Sequence, residues 1–219
     1  MDFNTKQKNE GLSDLVVLTD IEPEGNLQLP TPSLLQYYLD RKNRVIWIDK
    51  EIDDDLFNEI RQIIQYNRED EKNNIPIEKR EVCRIMLQSY GGTLDSCFAL
   101  LDVMKISKTP IYTYNLNACM SAAALIYLNG HKRYAMPKST VLIHAGQGGS
   151  VGGYDAVVAQ TENYKRLMEM LKENVLEHTK IDKAFLNKQM KKEWYIYIDD
   201  QIKYGITDEI ITDICQILG

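Results

Sequence analysis

Ser121 is the residue whose position in this sequence first suggests chemistry. It lies in YNLNACMSAAALIYLNG (114–130), where an alternating, strand-like pattern gives way to good helix formers. A serine at a helix start is usually an N-cap, because its oxygen accepts a backbone N–H. It can also be a nucleophile if a base takes its proton. The small residues at 122–124 leave space above the serine, and helix-start amides would suit an oxyanion. The local pattern alone favours the cap.

The base would have to be one of three histidines. His131 lies in the polar turn NGHKR, and His178 ends a long helix, where an imidazole interacts well with the negative end of the dipole. His144 closes the apolar strand STVLIH before a glycine-rich loop, so it is either a base facing a cleft or a core histidine. A base histidine needs an acid to orient it. The acids are too many for the residues alone to choose one, and those that follow His144 include Asp182, Glu193, Asp199, Asp200 and Asp208.

A second junction of interest is SYGG, from Ser89 to Gly92, which follows an apolar run. Paired glycines allow a tight turn and a close approach of the backbone to a ligand. Amides that open the following helix favour negative charge. A GG pair is also typical of a plain strand–helix turn, and by itself it favours that interpretation.

Strand-like runs alternate with helical patterns, which predicts an α/β layered protein with a mostly parallel sheet. In such sheets, ligands bind where strands end and helices begin. Strands are expected at 44–52, 82–89, 109–118, 132–137 and 139–146. Helices are expected at 33–43, 53–68, 93–107, from 121, 154–178 and 181–193, with a short helix, a glycine turn and a strand after them. The helix at 154–178 carries an apolar stripe of Tyr164, Leu167, Met168, Leu171 and Val175.

The composition excludes several classes of function. The 44% hydrophobic and 26% charged residues are ordinary for a soluble globular protein, and the net charge of −6 argues against nucleic-acid binding. The four cysteines form no CxxC pair and no zinc-ligand spacing, which predicts reduced thiols and a cytoplasmic location. No apolar run approaches the ~20 residues of a membrane span, and residues 1–12 lack a signal-peptide pattern.

Four segments, taken in order, resemble the proteolytic subunit of the Clp protease, a serine peptidase family. LQSYGGTLDSCFALLDVMK is similar to the family's strand, GG turn and helix, and NACMSAAALIYLNG to its nucleophile segment, usually G-x-A-A-S-M-G-A. KRYAMPKSTVLIH is similar to K-R-x-x-L-P-N-S-x-x-M-I-H, and KYGITD to E-Y-G-L-I-D. The resemblance covers roughly residues 33–213. It implies a ClpP/crotonase-like fold of repeated β-β-α units with a long protruding helix at about 154–178. Residues 1–32 would form an N-terminal arm, and 33–219 the peptidase domain.

The resemblance implies a serine endopeptidase that cleaves unfolded polypeptides by a Ser-His-acid mechanism. By position, Ser121 would be the nucleophile and His144 the general base. The amides of Gly92 and Ala122 would form the oxyanion hole. The family's acid is an aspartate eleven residues before the tyrosine of its Y-G motif, and Glu193 occupies that place here. Ser-His-Glu triads occur on other folds, and no metal or organic cofactor is implied.

The resemblance also implies partners and leaves alternatives. Subunits would self-associate into stacked heptameric rings, and a separate AAA+ unfoldase would feed them, since the chain has no GxxxxGK[ST] loop. Neither a nucleic acid nor a membrane is an expected partner. Glu193, and Tyr90 in place of the family's proline, indicate a divergent member. The alternatives are a phage-type capsid-maturation protease of the same fold, a non-catalytic ring subunit, an acyl-CoA hydratase or isomerase, and a Ser-Lys dyad peptidase.

Overall fold

The computed structural model describes residues 30–146, 149 and 151–218, so all but the last three residues of the predicted arm at 1–32 lie outside the described residues. The chain divides into two units, one ending at Tyr38 and the other running from Leu39 to Gly219. The first helix, α1 (Pro32–Lys42), spans this division. None of the described helices has a stretch both long and apolar enough to cross a membrane.

Strands and helices alternate through the second unit, which confirms the predicted α/β class. The strands are β1 (Val45–Ile48), β2 (Cys83–Ser89), β3 (Ile111–Met120), β4 (Lys132–Ala135), β5 (Thr140–Ile143), β6 (Trp194–Ile196) and β7 (Glu209–Ile210). The helices are α2 (Phe57–Lys72), α3 (Leu94–Ile106), α4 (Ala122–Leu128), α5 (Tyr154–His178), α6 (Lys183–Gln189), α7 (Ile198–Lys203) and α8 (Cys215–Leu218). Short 3₁₀ turns occur at Asp54–Leu56 and Ile77–Lys79.

The sheet is parallel except at one edge. Its main path is β1-β2-β3-β4-β7, with every pair parallel, while β5 pairs with β3 and the antiparallel β6 pairs with β5. Strand β3 is shared between two neighbours, because Tyr112–Asn115 pair with β4 and Ala118–Met120 pair with β5. The strand that leads to Ser121 thus leaves the main path and joins β5 at its carboxyl end.

The core follows the pleat of the strands. Ile85 and Leu87 belong to the larger apolar cluster, and Met86 between them belongs to a smaller cluster with Tyr114 and Tyr134. The rings of Tyr114 and Tyr134 stack with centroids 4.8 Å apart. This alternation is what a strand packed on both faces requires.

A buried ion pair ties α2 to the strands. Arg44 donates two hydrogen bonds to the Asp70 carboxylate, at 2.8 and 2.6 Å, and the Thr109 hydroxyl donates a third at 2.6 Å. Burial raises the pKa of Asp70, but the hydrogen bonds from Arg44 and Thr109 outweigh it and hold the pKa below its usual value. Asp70 is fully buried and Arg44 is 9% exposed.

Several predicted boundaries differ from the structure. Strand β1 ends at Ile48, four residues early, because Asp53 accepts a hydrogen bond from the Asp55 amide and starts the 3₁₀ turn. Helix α6 is shorter than the predicted 181–193, since Asp182 caps its start. Strand β6 was not expected at all. Its first residue, Trp194, packs edge-on against Phe185 and Tyr204, with centroids 5.3 and 5.6 Å away.

Other predictions hold. Helix α5 has the expected bounds, and Met168, Leu171 and Val175 of its stripe are buried. All four cysteines are free thiols, three of them buried: Cys83, Cys97 and Cys119.

Candidate active site

Ser121 lies between β3 and α4 with an unusual backbone conformation, φ 54° and ψ −122°. Few non-glycine residues adopt a positive φ, and such strain clusters at functional sites. Ser121 holds the N-cap position, but the expected side-chain cap is wrong, because its side chain makes no cap hydrogen bond. The backbone is held instead, since its N–H donates to the Leu142 carbonyl at 2.9 Å and its carbonyl accepts from the Ala124 amide at 3.0 Å.

The alanines after Ser121 serve packing. Ala122, Ala123 and Ala124 are all fully buried. The whole of α4 is buried, and the Cys97 thiol of α3 donates to the Ala122 carbonyl at 3.2 Å. Burial also raises the pKa of Cys119, two residues before Ser121, well above its usual value, so this thiol does not compete as a nucleophile.

The glycine pair lies directly against Ser121. Gly91 has φ 101°, and a Cβ placed on it would lie 2.7 Å from the Met120 carbonyl oxygen and 2.8 Å from Ser121 Cβ. Gly92 bridges to Ile52, whose carbonyl oxygen would collide with any Cβ at that position. Only glycine fits at either place. The amide of Gly92 makes no hydrogen bond within the described part of the chain, and Ala122 opens α4, where N–H groups lack intrahelical partners.

His144 follows β5, beside the strand that ends at Ser121. The parallel pairing of Met120 with Leu142 brings the carboxyl ends of β3 and β5 together. His144 Nε2 is buried, and among residues 30–146, 149 and 151–218 it has no hydrogen-bond partner. Its neighbour Ala145 is anchored by the Tyr164 hydroxyl of α5, which donates to the Ala145 carbonyl at 2.6 Å.

The other histidines have structural roles. His131 Nδ1 accepts from the Ile111 amide at 3.0 Å. His178 Nδ1 lies 2.9 Å from the Asn174 carbonyl oxygen, at the end of α5. These contacts leave His144 as the histidine with an unpartnered buried nitrogen in the described ranges.

Glu193 directly precedes β6, and His144 directly follows β5. The antiparallel pairs are Val141 with Ile196, Leu142 with Tyr195 and Ile143 with Trp194. If this register is continued by one residue, it sets His144 against Glu193, on the face that also carries Tyr195. The Glu193 side chain is exposed, and it accepts a hydrogen bond from the Tyr195 hydroxyl at 3.1 Å, which raises the pKa of that hydroxyl.

The structure does not join the three candidate side chains by hydrogen bonds. No bond links His144 to Ser121 or to Glu193 within the described residues. It does bring their backbones to one edge of the sheet, where the glycine pair also lies.

Of the other four candidate acids, two make contacts elsewhere and two are exposed on α7. Asp182 caps α6 by accepting from the amides of Ala184 and Phe185. Asp208 forms an ion pair with Arg133 at 2.6 Å. Asp199 and Asp200 are exposed in the first turn of α7. No group of three or more His, Cys, Asp or Glu side chains in the described ranges is arranged to hold a metal ion.

The chain is similar in sequence to known proteins over most of its length. The family model described as Clp protease matches residues 35–213. The chain belongs to the Clp protease family. A Clp relative, the ATP-dependent Clp protease proteolytic subunit of Chlorella vulgaris, is 25% identical over 174 residues, which cover 78% of this chain and 83% of the relative. As in the Clp family generally, the expected activity class is that of a peptidase, and the segments that carried the resemblance lie within the matched range.

Sequence reasoning missed two residues beside the candidate site. Tyr195 contacts Glu193, and Tyr164 holds the residue after His144. The spacing of Glu193 and Tyr195, two apart in EWYIY, would have indicated a shared strand face. The Tyr164 contact joins residues nineteen apart, and nothing in the sequence signals it.

Proposed function

We propose that this Clp family protein is a serine endopeptidase, with Ser121 as nucleophile, His144 as general base and Glu193 as the acid that orients the imidazole. The observation that carries the proposal is the strained backbone of Ser121, at φ 54°, with a hydroxyl that caps nothing. A helix cap needs no positive φ, whereas a nucleophile held out on a sharp turn between strand and helix does. The orphaned Nε2 of His144 supports the same assignment, since a base must have a free nitrogen to take the proton.

The reaction would be acyl transfer followed by hydrolysis. His144 Nε2 takes the Ser121 proton as Oγ forms a bond to the peptide carbonyl carbon, and the carbonyl oxygen becomes an oxyanion. The amides of Gly92 and Ala122 would donate to that oxyanion, each being worth about 3 kcal/mol in such sites. His144 then protonates the leaving amine, the acyl-enzyme forms, and a water activated by His144 releases the product.

Glu193 must rotate to take part. Its carboxylate accepts a hydrogen bond from Tyr195 and not from His144, and the register of β5 and β6, continued by one residue, supports a position opposite His144. Glu193 and Tyr195 are both exposed, so the hydrogen bond between them is weak. The Glu193 carboxylate can readily exchange it for a bond to water or to His144. Substrate binding or assembly would complete the triad, since catalytic hydrogen bonds are often loose in unliganded sites.

The assembly proposal rests on α5. Its buried residues begin only at Met168, while Tyr154 and Val158 in its first half are 83% and 43% exposed. Exposed apolar side chains on this half of the helix support self-association into stacked rings, which would enclose the site in a chamber for unfolded polypeptides. The relative's description as ATP-dependent, together with the missing nucleotide loop, supports a separate unfoldase partner. Sedimentation measurements should give a mass of many 25.3 kDa subunits, and a monomer at all concentrations would refute the rings.

Labelling with a fluorophosphonate probe tests the mechanism. Wild type should be labelled at Ser121, Ser121→Ala should not, and His144→Ala should react much more slowly. Equal labelling of wild type and Ser121→Ala would refute the nucleophile. Full activity of His144→Ala would indicate a Ser-Lys dyad. A folded, assembled wild type that neither labels nor cleaves peptides would indicate a non-catalytic ring subunit.

A further inference from the structure

The last residue of β2, Ser89, has a hydroxyl that connects the glycine turn to the segment after β1. Ser89 is 2% exposed and pairs with Cys119 of β3 just after a register shift. Its Oγ donates to the Lys50 carbonyl at 2.5 Å and accepts from the Gly91 amide at 3.2 Å. The hydroxyl therefore bridges the segment after β1 and the first glycine of the pair.

This bridge is part of a set of bonds that surround Gly92. Besides the Ser89 contact, the Ile52 amide donates to the Gly91 carbonyl at 2.9 Å, and the Thr93 amide donates to the Ile52 carbonyl at 2.7 Å. The amides before and after Gly92 are thus occupied, while that of Gly92 has no partner among the described residues. The orientation of the free N–H is set by its two neighbours, and one of those neighbours is held by a side chain.

We propose that Ser89 is a positioning residue for the oxyanion hole: its hydroxyl holds the Gly91 amide and the Lys50 carbonyl so that the Gly92 N–H stays aimed at the reacting carbonyl. This inference rests on the proposed function, because it assigns the same turn a catalytic use. Ser89 acts through Gly91 and Gly92 and does not contact the substrate. Removal of the hydroxyl leaves the buried Gly91 N–H and the part-buried Lys50 C=O without this partner, so the turn relaxes toward other bonds.

Loss of the Ser89 hydroxyl should weaken stabilisation of the transition state and leave substrate binding nearly unchanged. In Ser89→Ala we expect kcat for a fluorogenic peptide to fall about 10- to 100-fold, because small displacements of an oxyanion donor are costly. KM should change less than about twofold, as for an interaction made only in the transition state. Affinity for a peptide boronate, which forms a tetrahedral adduct with a serine, should fall by the same factor as kcat/KM.

Ser96→Ala is the matched control. Ser96 is also buried, at 4% exposure, but its hydroxyl donates to Asp54 at 3.1 Å and does not touch the turn. Ser89→Thr keeps the hydroxyl and should restore most of kcat. If Ser89→Ala does not fold, Ser89→Cys, whose thiol is only a weak donor and acceptor, takes its place with the same expected direction.

The outcomes separate the two proposals. If wild type shows no Ser121-dependent labelling or cleavage, the proposed function fails. If wild type is active and Ser89→Ala keeps its kcat and boronate affinity, the role of Ser89 is refuted while the function stands. Equal losses in Ser89→Ala and Ser96→Ala, or losses that reside in KM, would also refute a positioning role.

Discussion

Replacing Ser121 by glycine should give a more stable protein than replacing it by alanine, although glycine is normally the more destabilising choice. The reason is the backbone at this position, with φ 54° and ψ −122°. Holding a residue with a Cβ in such a region costs about 1–3 kcal/mol, and glycine relieves that strain. Glycine in turn loses about 0.5–1 kcal/mol through its greater freedom in the unfolded chain. The net advantage of Ser121→Gly over Ser121→Ala is therefore about 1 kcal/mol.

Urea unfolding followed by circular dichroism would measure this difference, with both variants at one protein concentration because assembly adds to apparent stability. Both variants lack the proposed nucleophile, so self-cleavage should not disturb the comparison. Ser96 provides the control pair, since it lies within α3 and glycine there should be about 1 kcal/mol less stable than alanine. If glycine is less stable than alanine at position 121, as expected at position 96, the backbone of Ser121 is not strained. The main support for Ser121 as the nucleophile is then lost.

Three further predictions concern the surroundings of the site and the core. Gly91→Ala should lower the free energy of unfolding by about 3 kcal/mol in urea and abolish fluorophosphonate labelling, because the new methyl group would overlap Met120 and Ser121; normal labelling would contradict the close contact. Asp70→Asn should lower the free energy of unfolding by about 3–5 kcal/mol at neutral pH, because Arg44 stays buried without its carboxylate partner. Since the folded-state pKa of Asp70 is depressed, its contribution is present above about pH 4 and is lost as pH falls through the folded pKa, so the pH dependence of unfolding in this range should be weaker in Asp70→Asn. Ellman's reagent should react quickly with Cys215 and with the other thiols only after denaturation, since burial raises the pKa of Cys83 to about 12; a second fast thiol would contradict the packing.

The elements that sequence predicted well are those with strong local signals. Helix α5 begins after Gly153 and ends at His178, and its periodic stripe is long enough to define it without tertiary information. Strand β2 is a mostly apolar run and β3 begins in an alternating, strand-like pattern, so the local sequence indicates both. Strand β6 has three residues and exists because it pairs with β5 and because Trp194 fits between two aromatic rings. The alternation in EWYIY is a local signal for it, but three residues are too few to define a strand without that pairing.

The candidate site also has features that could be predicted from the sequence and features that depend on distant contacts. The resemblance selected Ser121, His144 and Glu193, and the structure brings their backbones to one edge of the sheet. The conformation of Ser121 was beyond local rules, which expected a side-chain cap. It results from the contact with Gly91, thirty residues earlier in the chain, and from the hydrogen bond to Leu142. A propensity read from neighbouring residues contains neither contact.

The short β5–β6 ladder separates local geometry from the length of the chain between its strands. Three antiparallel pairs join β5 to β6, although α5 and α6 both lie between them in sequence. The later part of α5 is fixed by the core, because it is buried in places from Met168 onward and the Tyr164 hydroxyl holds the Ala145 carbonyl. Its first part, 154–163, contains no buried residue. Sequence and length can therefore vary around the start of α5 at little cost to the core, and new chain termini could be opened there by circular permutation.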